Sequence, residues 1–80
     1  MIPFLLKRLS LPHQFDVVAS IGNFLALRIA ENLSISLYSF FGKYVEVAYN
    51  VSDKSIVSVN FITKIEAANL YKDFFNNLKQ

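Results

Sequence analysis

Seven side chains of this sequence could carry acid–base or metal chemistry. They are the single histidine, His13, and the carboxylates Asp16, Glu31, Glu46, Asp53, Glu66 and Asp73. Paired acid–base catalysis needs two carboxyl groups close together, and no two of these six are predicted to lie side by side. The histidine follows a proline at a predicted helix start, where an exposed first-turn residue is the simpler interpretation. Because there is also no cysteine, we expect no catalytic site, no metal and no cofactor.

Glu46 is the one carboxylate with a second interpretation, because it is predicted to lie in the middle of a strand. Its predicted neighbours on the same sheet face are Tyr38 and, two strands away, Arg28. The simpler interpretation is a solvated cross-strand contact, worth about 0.2–1 kcal/mol. The functional interpretation is a polar anchor within an aromatic interface or a ligand cleft.

Composition limits the class of protein. The chain has 80 residues, of which 54% are hydrophobic, 15% aromatic and 18% charged, and its net charge is +2. This length fits a single domain, and the hydrophobicity excludes a disordered chain. Lys7-Arg8 is the only adjacent pair of basic residues, so the basic stripe of a nucleic-acid-binding protein is missing. Charge below the roughly 25% that is typical, combined with many aromatic residues, predicts that another chain covers some apolar surface.

The sequence predicts no membrane segment. Its longest uncharged runs, residues 17–27 and 32–42, have 11 residues each, whereas a helical span needs about 20. In residues 1–7 the positive charge follows a short apolar run, which is unlike a signal peptide. We therefore expect a cytoplasmic protein.

Two elements are predicted before the strands: an apolar extension over residues 1–9 and a helix over residues 11–22. Ser10 can cap this helix, and Pro12 is tolerated in its first turn. Gly22 can adopt the left-handed conformation that ends a helix.

From residue 24 hydrophobic residues alternate with a period of two, which predicts four strands within residues 24–62. Turn-compatible triplets separate the strands at residues 31–33, 41–43 and 52–54. Three-residue loops would pair Leu27 with Leu37, Ile29 with Ile35, Leu37 with Val47, and Val47 with Val59. In that register nearly every inward residue is apolar.

Residues 24–30 also fit the apolar stripe of a helix, so one long helix over residues 12–32 is an alternative. The interruption at Gly22-Asn23 favours the strand.

The C-terminal helix is predicted over residues 64–79. Thr63 and Glu66 form a capping box at its start, and Ala67, Tyr71 and Phe74 begin its apolar stripe. The predicted fold class is α+β, with a short N-terminal helix, a four-stranded antiparallel β-meander and a C-terminal helix packed on one sheet face.

The same register predicts a set of residues on the sheet face away from the C-terminal helix. They are Phe24, Arg28, Tyr38, Phe40, Tyr44, Glu46 and Ile62. A free face of an antiparallel sheet should be polar along its whole length. We therefore expect the aromatic end of this face to be covered, either by the N-terminal segment with Ile2, Phe4, Leu5 and Leu6 or by a second protein.

Several segments form a distinctive strand pattern: GNFLALR at 22–28, SLY at 36–38, GKYVEVAY at 42–49 and LY at 70–71. This pattern resembles a group of short uncharacterised bacterial proteins that have an "LY" strand and a "YVEVxY" strand ahead of a final helix. The resemblance covers about residues 11–71. It implies a bacterial cytosolic protein and carries over no active-site residue.

The sequence thus predicts a non-catalytic protein-interaction or structural module, a homodimer or the partner of another protein through its aromatic sheet face. The alternative is a small ligand- or nucleic-acid-binding sheet that uses the same face. Aromatic residues on a sheet can stack bases, but here they lack the flanking basic residues that hold phosphates.

Overall fold

The computed structural model describes the backbone of residues 3–78 and the side chains of residues 6–78. A 3-10 helix over Pro3–Arg8 precedes the regular elements. These are α1 (Leu11–Ile21), β1 (Asn23–Ala30), β2 (Leu33–Phe40), β3 (Lys43–Asn50), β4 (Ser55–Ile62), α2 (Lys64–Leu70) and α3 (Lys72–Leu78). The strands form one antiparallel sheet in the order β1-β2-β3-β4. The predicted α+β fold, with a β-meander and C-terminal helices packed on the sheet, is confirmed.

Helix α1 starts as predicted but ends for a different reason. Ser10 is its N-cap, and the Ser10 Oγ accepts a hydrogen bond from the His13 backbone N–H at 3.4 Å. Gly22 is extended, with φ −78° and ψ 179°, so the predicted left-handed conformation is wrong. A Cβ on Gly22 would lie 2.6 Å from the Ser39 carbonyl oxygen and 2.7 Å from that of Val18. Glycine is needed here because the backbone of β2 approaches closely.

Residues 24–30 belong to strand β1, so the alternative of one long helix is wrong. Asn23 already pairs with Ser39 of β2. The strand therefore begins directly after the glycine that interrupts the helical pattern.

The loops of the meander have different lengths from those predicted. Two-residue loops, 31–32 and 41–42, join the first three strands, and a four-residue loop, 51–54, joins β3 to β4. In the second loop Phe41 has φ 52° and Gly42 has φ 74°. Positive φ at both central residues is the requirement of a tight type I′ hairpin turn.

Shorter loops shift the register of β2 by one residue. Leu37 pairs with Glu46, and Ser36 pairs with Val47, so the predicted pair of Leu37 with Val47 is wrong. The predicted pair of Val47 with Val59 is confirmed. A shift of one residue turns every side chain of a strand to the opposite face, and this happens to β2.

Helices pack on both faces of the sheet, and each face carries its own core cluster. The cluster on the α1 side contains Leu6, Val18, Phe40, Val45, Val47 and Val59. The cluster on the other side contains Leu37, Ala67 and Tyr71, with Tyr44, Ile62, Phe74 and Phe75 packed against it. The C-terminal helices therefore lie on the face opposite to the one predicted, and α1 covers the valine-rich face.

The capping box of the C-terminal helix is confirmed. Thr63 Oγ1 accepts from the Glu66 N–H at 3.1 Å, and Glu66 Oε1 accepts from the Thr63 N–H at 2.9 Å. The predicted continuous helix over residues 64–79 is interrupted at Tyr71, where φ is −123° and ψ is 51°. Two shorter helices, α2 and α3, result.

Candidate functional site

The seven residues predicted to share one face are divided between the two faces of the sheet. Phe24, Tyr38 and Phe40 lie on the α1 side, whereas Arg28, Tyr44, Glu46 and Ile62 lie on the side of α2 and α3. The short loops turn Tyr38 and Phe40 over, and a bulge between Phe24 and Ala26 turns Phe24 with them. The expectation of one continuous aromatic face is therefore wrong.

Most of the predicted aromatic residues pack within the chain. Phe40 is fully buried on the α1 side. The Tyr44 ring packs edge-to-face against Phe75 of α3, with centroids 5.7 Å apart. Phe24 meets Tyr38 at the same centroid distance, but Phe24 itself is 57% exposed. Of this aromatic set, Phe24 is the residue most open to a partner.

The N-terminal segment provides part of the expected cover on the α1 side. Leu6 is fully buried in the same cluster as Phe40. The Gln14 Nε2 donates to the Leu9 carbonyl at 2.9 Å, which ties this segment to α1. Ile2 and the side chains of Phe4 and Leu5 lie outside the described residues.

A polar cluster of Arg28, Glu46 and Tyr71 lies on the opposite side of the sheet. The Arg28 Nε donates to Glu46 Oε2 at 3.0 Å, and Nη2 lies 3.5 Å from Oε1. The Tyr71 hydroxyl donates to the same Oε2 at 2.6 Å, and the guanidinium carbon of Arg28 lies 5.8 Å from the centre of the Tyr71 ring. Because β2 lies between Arg28 and Glu46, the arginine side chain crosses that strand.

Burial and hydrogen bonding keep Tyr71 and Arg28 protonated near neutral pH. Burial raises the pKa of Tyr71 well above its ordinary value, and the hydrogen bond to Glu46 raises it further. The hydrogen bond to Glu46 also raises the pKa of Arg28. Both oxygens of Glu46 face donors, so this carboxylate is a structural acceptor and is poorly placed to take a proton from a substrate. Sequence reasoning placed Arg28 and Glu46 on one sheet face, two strands apart, but it placed Tyr71 only in a helix stripe.

Strand β1 carries the second candidate feature, an uncovered apolar surface. On the α1 side, Phe24, Leu27 and Ile29 are 57%, 53% and 68% exposed, and we call these three residues the β1 strip. Helix α1 lies mainly against β4, which leaves β1 open. Opposite Leu27 and Ile29, strand β2 presents Ser36 and Ser34, which are too small to cover them.

The two edges of the sheet differ. At the β4 edge the Lys7 Nζ donates to the Val59 carbonyl and lies 3.5 Å from Asn60 Oδ1. Lys7 belongs to the N-terminal 3-10 helix, and a charged side chain that occupies an edge carbonyl hinders pairing with further strands. Across residues 6–78, no side chain hydrogen bonds to the backbone of β1 in this way. The one charged residue of β1, Arg28, is held by Glu46.

One surface cavity borders β1, and another borders the neighbouring strand β2. One, of about 410 Å³, is lined by Ala26, Leu27, Arg28, Asn69, Leu70, Tyr71, Lys72, Asp73 and Phe74. The other, of about 290 Å³, lies on the α1 side and is lined by Phe15, Ser34, Ser36, Tyr38, Val47, Tyr49 and Ile56. The second lining contains no charged side chain, so this cavity suits an uncharged group.

The remaining candidate for chemistry, His13, is an exposed residue in the first turn of α1. Its Nδ1 lies 2.9 Å from Ser10 Oγ. Among the side chains that the structure describes, no three His, Asp or Glu residues lie close enough to hold a metal ion. Within the same range, no helix is long and apolar enough to cross a membrane.

Comparison of the chain with protein-family models, with curated proteins and with solved structures finds no match. A proposal about its function therefore depends on the chain's own residues. Two features can support one: the closed polar cluster, and the β1 strip beside an open sheet edge.

Proposed function

We propose that this chain is a small, non-catalytic protein-interaction or structural module that acts as a cytoplasmic homodimer. The observation that supports this is the β1 strip, in which three large apolar side chains on one strand are each more than half exposed. Exposed apolar residues that lie together mark interaction surfaces more often than isolated ones do.

A second copy is the partner that fits this surface. A two-fold dimer brings the same patch against itself, so a charged patch would repel its own copy. The β1 strip carries no charge, and Arg28 is paired with Glu46 within its own chain. The surface is therefore self-complementary, and it offers no charge to select a partner of opposite sign.

The size of the β1 strip predicts a dimer of moderate affinity. Fully burying a large apolar side chain contributes about 1.5–3 kcal/mol. Since 57%, 53% and 68% of these side chains are still exposed, burying all six in two copies contributes about 5–11 kcal/mol in total. Association itself costs about 4–15 kcal/mol. The two contributions are comparable, so further contacts must decide the affinity and the dimer should dissociate on dilution.

The experiment is light scattering behind a sizing column over a range of concentrations, with two matched variants. Ile29→Lys introduces a charge in the β1 strip. Ile65→Lys introduces the same charge on α2, at a residue that is 74% exposed. We expect wild type and Ile65→Lys to approach twice 9.1 kDa as concentration rises, and Ile29→Lys to remain monomeric. A wild type that is monomeric at every concentration, or an Ile29→Lys that dimerises as well as Ile65→Lys, contradicts the proposal.

The cavity of about 290 Å³ favours a second candidate function, the binding of a small uncharged molecule. Its lining includes the hydroxyls of Ser34, Ser36, Tyr38 and Tyr49, and none of these forms a side-chain hydrogen bond with another described residue. Specific ligand sites combine apolar walls with a few such polar groups. Thermal-shift screening of uncharged compounds tests this, with Ser36→Leu as the variant that fills the cavity. A hit that stabilises wild type and Ser36→Leu equally would contradict it.

A further inference from the structure

We propose that the partner strand in the homodimer is β1 of the second copy. The two strands pair antiparallel about an axis at Arg28, so that Leu27 of one copy faces Ile29 of the other. The two four-stranded sheets then form one continuous sheet. This inference rests on the proposed homodimer and specifies its contact and register.

Backbone geometry determines which groups of β1 are free to pair. In an antiparallel ladder, alternate residues exchange both of their hydrogen bonds with one neighbouring strand. The two-residue loop begins after Ala30, so Ala26, Arg28 and Ala30 bond to β2. Leu27 and Ile29 therefore direct their N–H and C=O groups to the open edge. The two most exposed aliphatic residues of β1 are also the two with free backbone groups.

The other edge of the sheet supports the same reasoning. The two-residue loop after Phe40 makes Val47 bond to β2, so its partner on β4, Val59, directs its carbonyl away from the sheet. Lys7 donates to this carbonyl. One edge is thus occupied by a lysine, and no side chain of residues 6–78 occupies the edge proposed for pairing in this way.

More than one position of the two-fold axis brings free backbone groups opposite each other, and the positions differ in the residues that they involve. An axis at Leu27 involves Leu25, which lies at the bulge. An axis at Ile29 involves Glu31, a turn residue with φ 55°. The axis at Arg28 uses regular strand alone, and each of its two pairs of Leu27 with Ile29 exchanges both backbone hydrogen bonds.

This register also explains what the polar cluster contributes. On the α1 side, the Leu27 and Ile29 side chains of both copies form one aliphatic cluster. On the opposite side, two Arg28 residues would face each other, and like charges in that position are destabilising. Glu46 draws each guanidinium back across β2, and Tyr71 holds Glu46 in place. The cluster keeps positive charge away from the axis.

Cysteine cross-linking tests this register, because the chain has no native cysteine to give background. Leu27→Cys and Ile29→Cys are prepared separately, mixed and mildly oxidised. Both positions are more than half exposed, so the variants should fold. Residues that face each other in a hydrogen-bonded pair have Cα atoms about 5.5 Å apart, within the range of about 4.4–6.8 Å for a disulfide. Two copies of one variant place their cysteines diagonally, about 7–8 Å apart.

We expect the mixture to form a cross-linked heterodimer, with at least about fivefold less product from either variant alone. Val57→Cys, 45% exposed on β4, is the control at the other edge and should not cross-link. Preferential cross-linking of Leu27→Cys to itself overturns the register. A dimer in light scattering without any cross-link through β1 overturns the edge pairing and leaves the proposed homodimer standing. A monomer at every concentration overturns both.

Discussion

Removal of the Tyr71 hydroxyl measures what the polar cluster contributes to stability. Tyr71→Phe keeps the ring near Arg28 and the apolar packing, and it removes the donor that lies 2.6 Å from Glu46 Oε2. A hydrogen bond to a charged group contributes about 1.5–3 kcal/mol. Because Glu46 keeps its bond from Arg28, we expect the lower part of that range, about 1.5–2 kcal/mol. For a chain of this size the melting temperature should fall by about 6–16 °C.

The assay is denaturant and thermal unfolding followed by circular dichroism at one protein concentration, since association adds stability. Tyr38→Phe is the matched control, because the Tyr38 hydroxyl forms no side-chain hydrogen bond with the described residues. Its free energy of unfolding should change by no more than about 0.5 kcal/mol. The double variant Tyr71→Phe with Glu46→Gln should lose less than the sum of the two single variants. If Tyr71→Phe costs no more than Tyr38→Phe, the reasoning about a buried charged acceptor is refuted.

Three further predictions concern the glycines and the effect of pH. Gly22→Ala should lower the free energy of unfolding by about 1–3 kcal/mol, because the new Cβ meets two backbone oxygens. Gly42→Ala meets open space and should lose about 1 kcal/mol through its φ of 74°; denaturant unfolding of both variants checks the order, and the reverse order contradicts it. Burial raises the pKa of Tyr71 in the folded chain. The stability that the protonated Tyr71 side chain contributes is therefore complete below about pH 10, and it is lost as the pH rises further. Unfolding between about pH 8 and 12 should show this loss in wild type and a smaller one in Tyr71→Phe, and equal losses contradict it. Hydrogen bonds from Thr63 lower the pKa of Glu66, so that stabilisation is present above about pH 4.3 and is lost as the pH falls; acid unfolding should show a smaller loss in Glu66→Gln, and identical acid transitions contradict it.

The elements of the fold could be predicted from the sequence because their signals are local. The capping box of Thr63 and Glu66 lies within four residues, and the period of two is readable within each strand. Gly22 was correctly predicted to end α1, but its conformation was not, since the requirement comes from the Ser39 carbonyl on another strand.

The register could not be predicted because it depends on loop length. Nothing local indicates that Phe41 adopts φ 52°, a conformation that is unusual for a bulky residue. The apolar side chains of β2 point to both faces of the sheet, because Leu37 is buried on one face and Phe40 on the other. Because helices cover both faces of the sheet, the alternation in β2 did not identify which face meets which helix.

The candidate site was predicted only in part. Arg28 and Glu46 were predicted to lie on one sheet face two strands apart, as they do, but Tyr71 was predicted on the opposite side of the sheet, in the stripe of the C-terminal helix. Leu27 and Ile29 were predicted to lie inside the core, paired with apolar residues of β2. The register gives them serine neighbours, and α1 lies mainly over β4, so these two residues remain exposed.

Amide hydrogen exchange at Leu27 and Ile29, measured in dilute and concentrated protein, tests the pairing of β1 most directly. It requires no substitution, and Arg28 between them is an internal control because its N–H bonds to β2 in either state. We predict that both amides exchange rapidly in dilute protein and slow by about tenfold or more once the dimer forms, while Arg28 changes little. Rapid exchange of Leu27 and Ile29 at a concentration where the dimer is established would contradict the account.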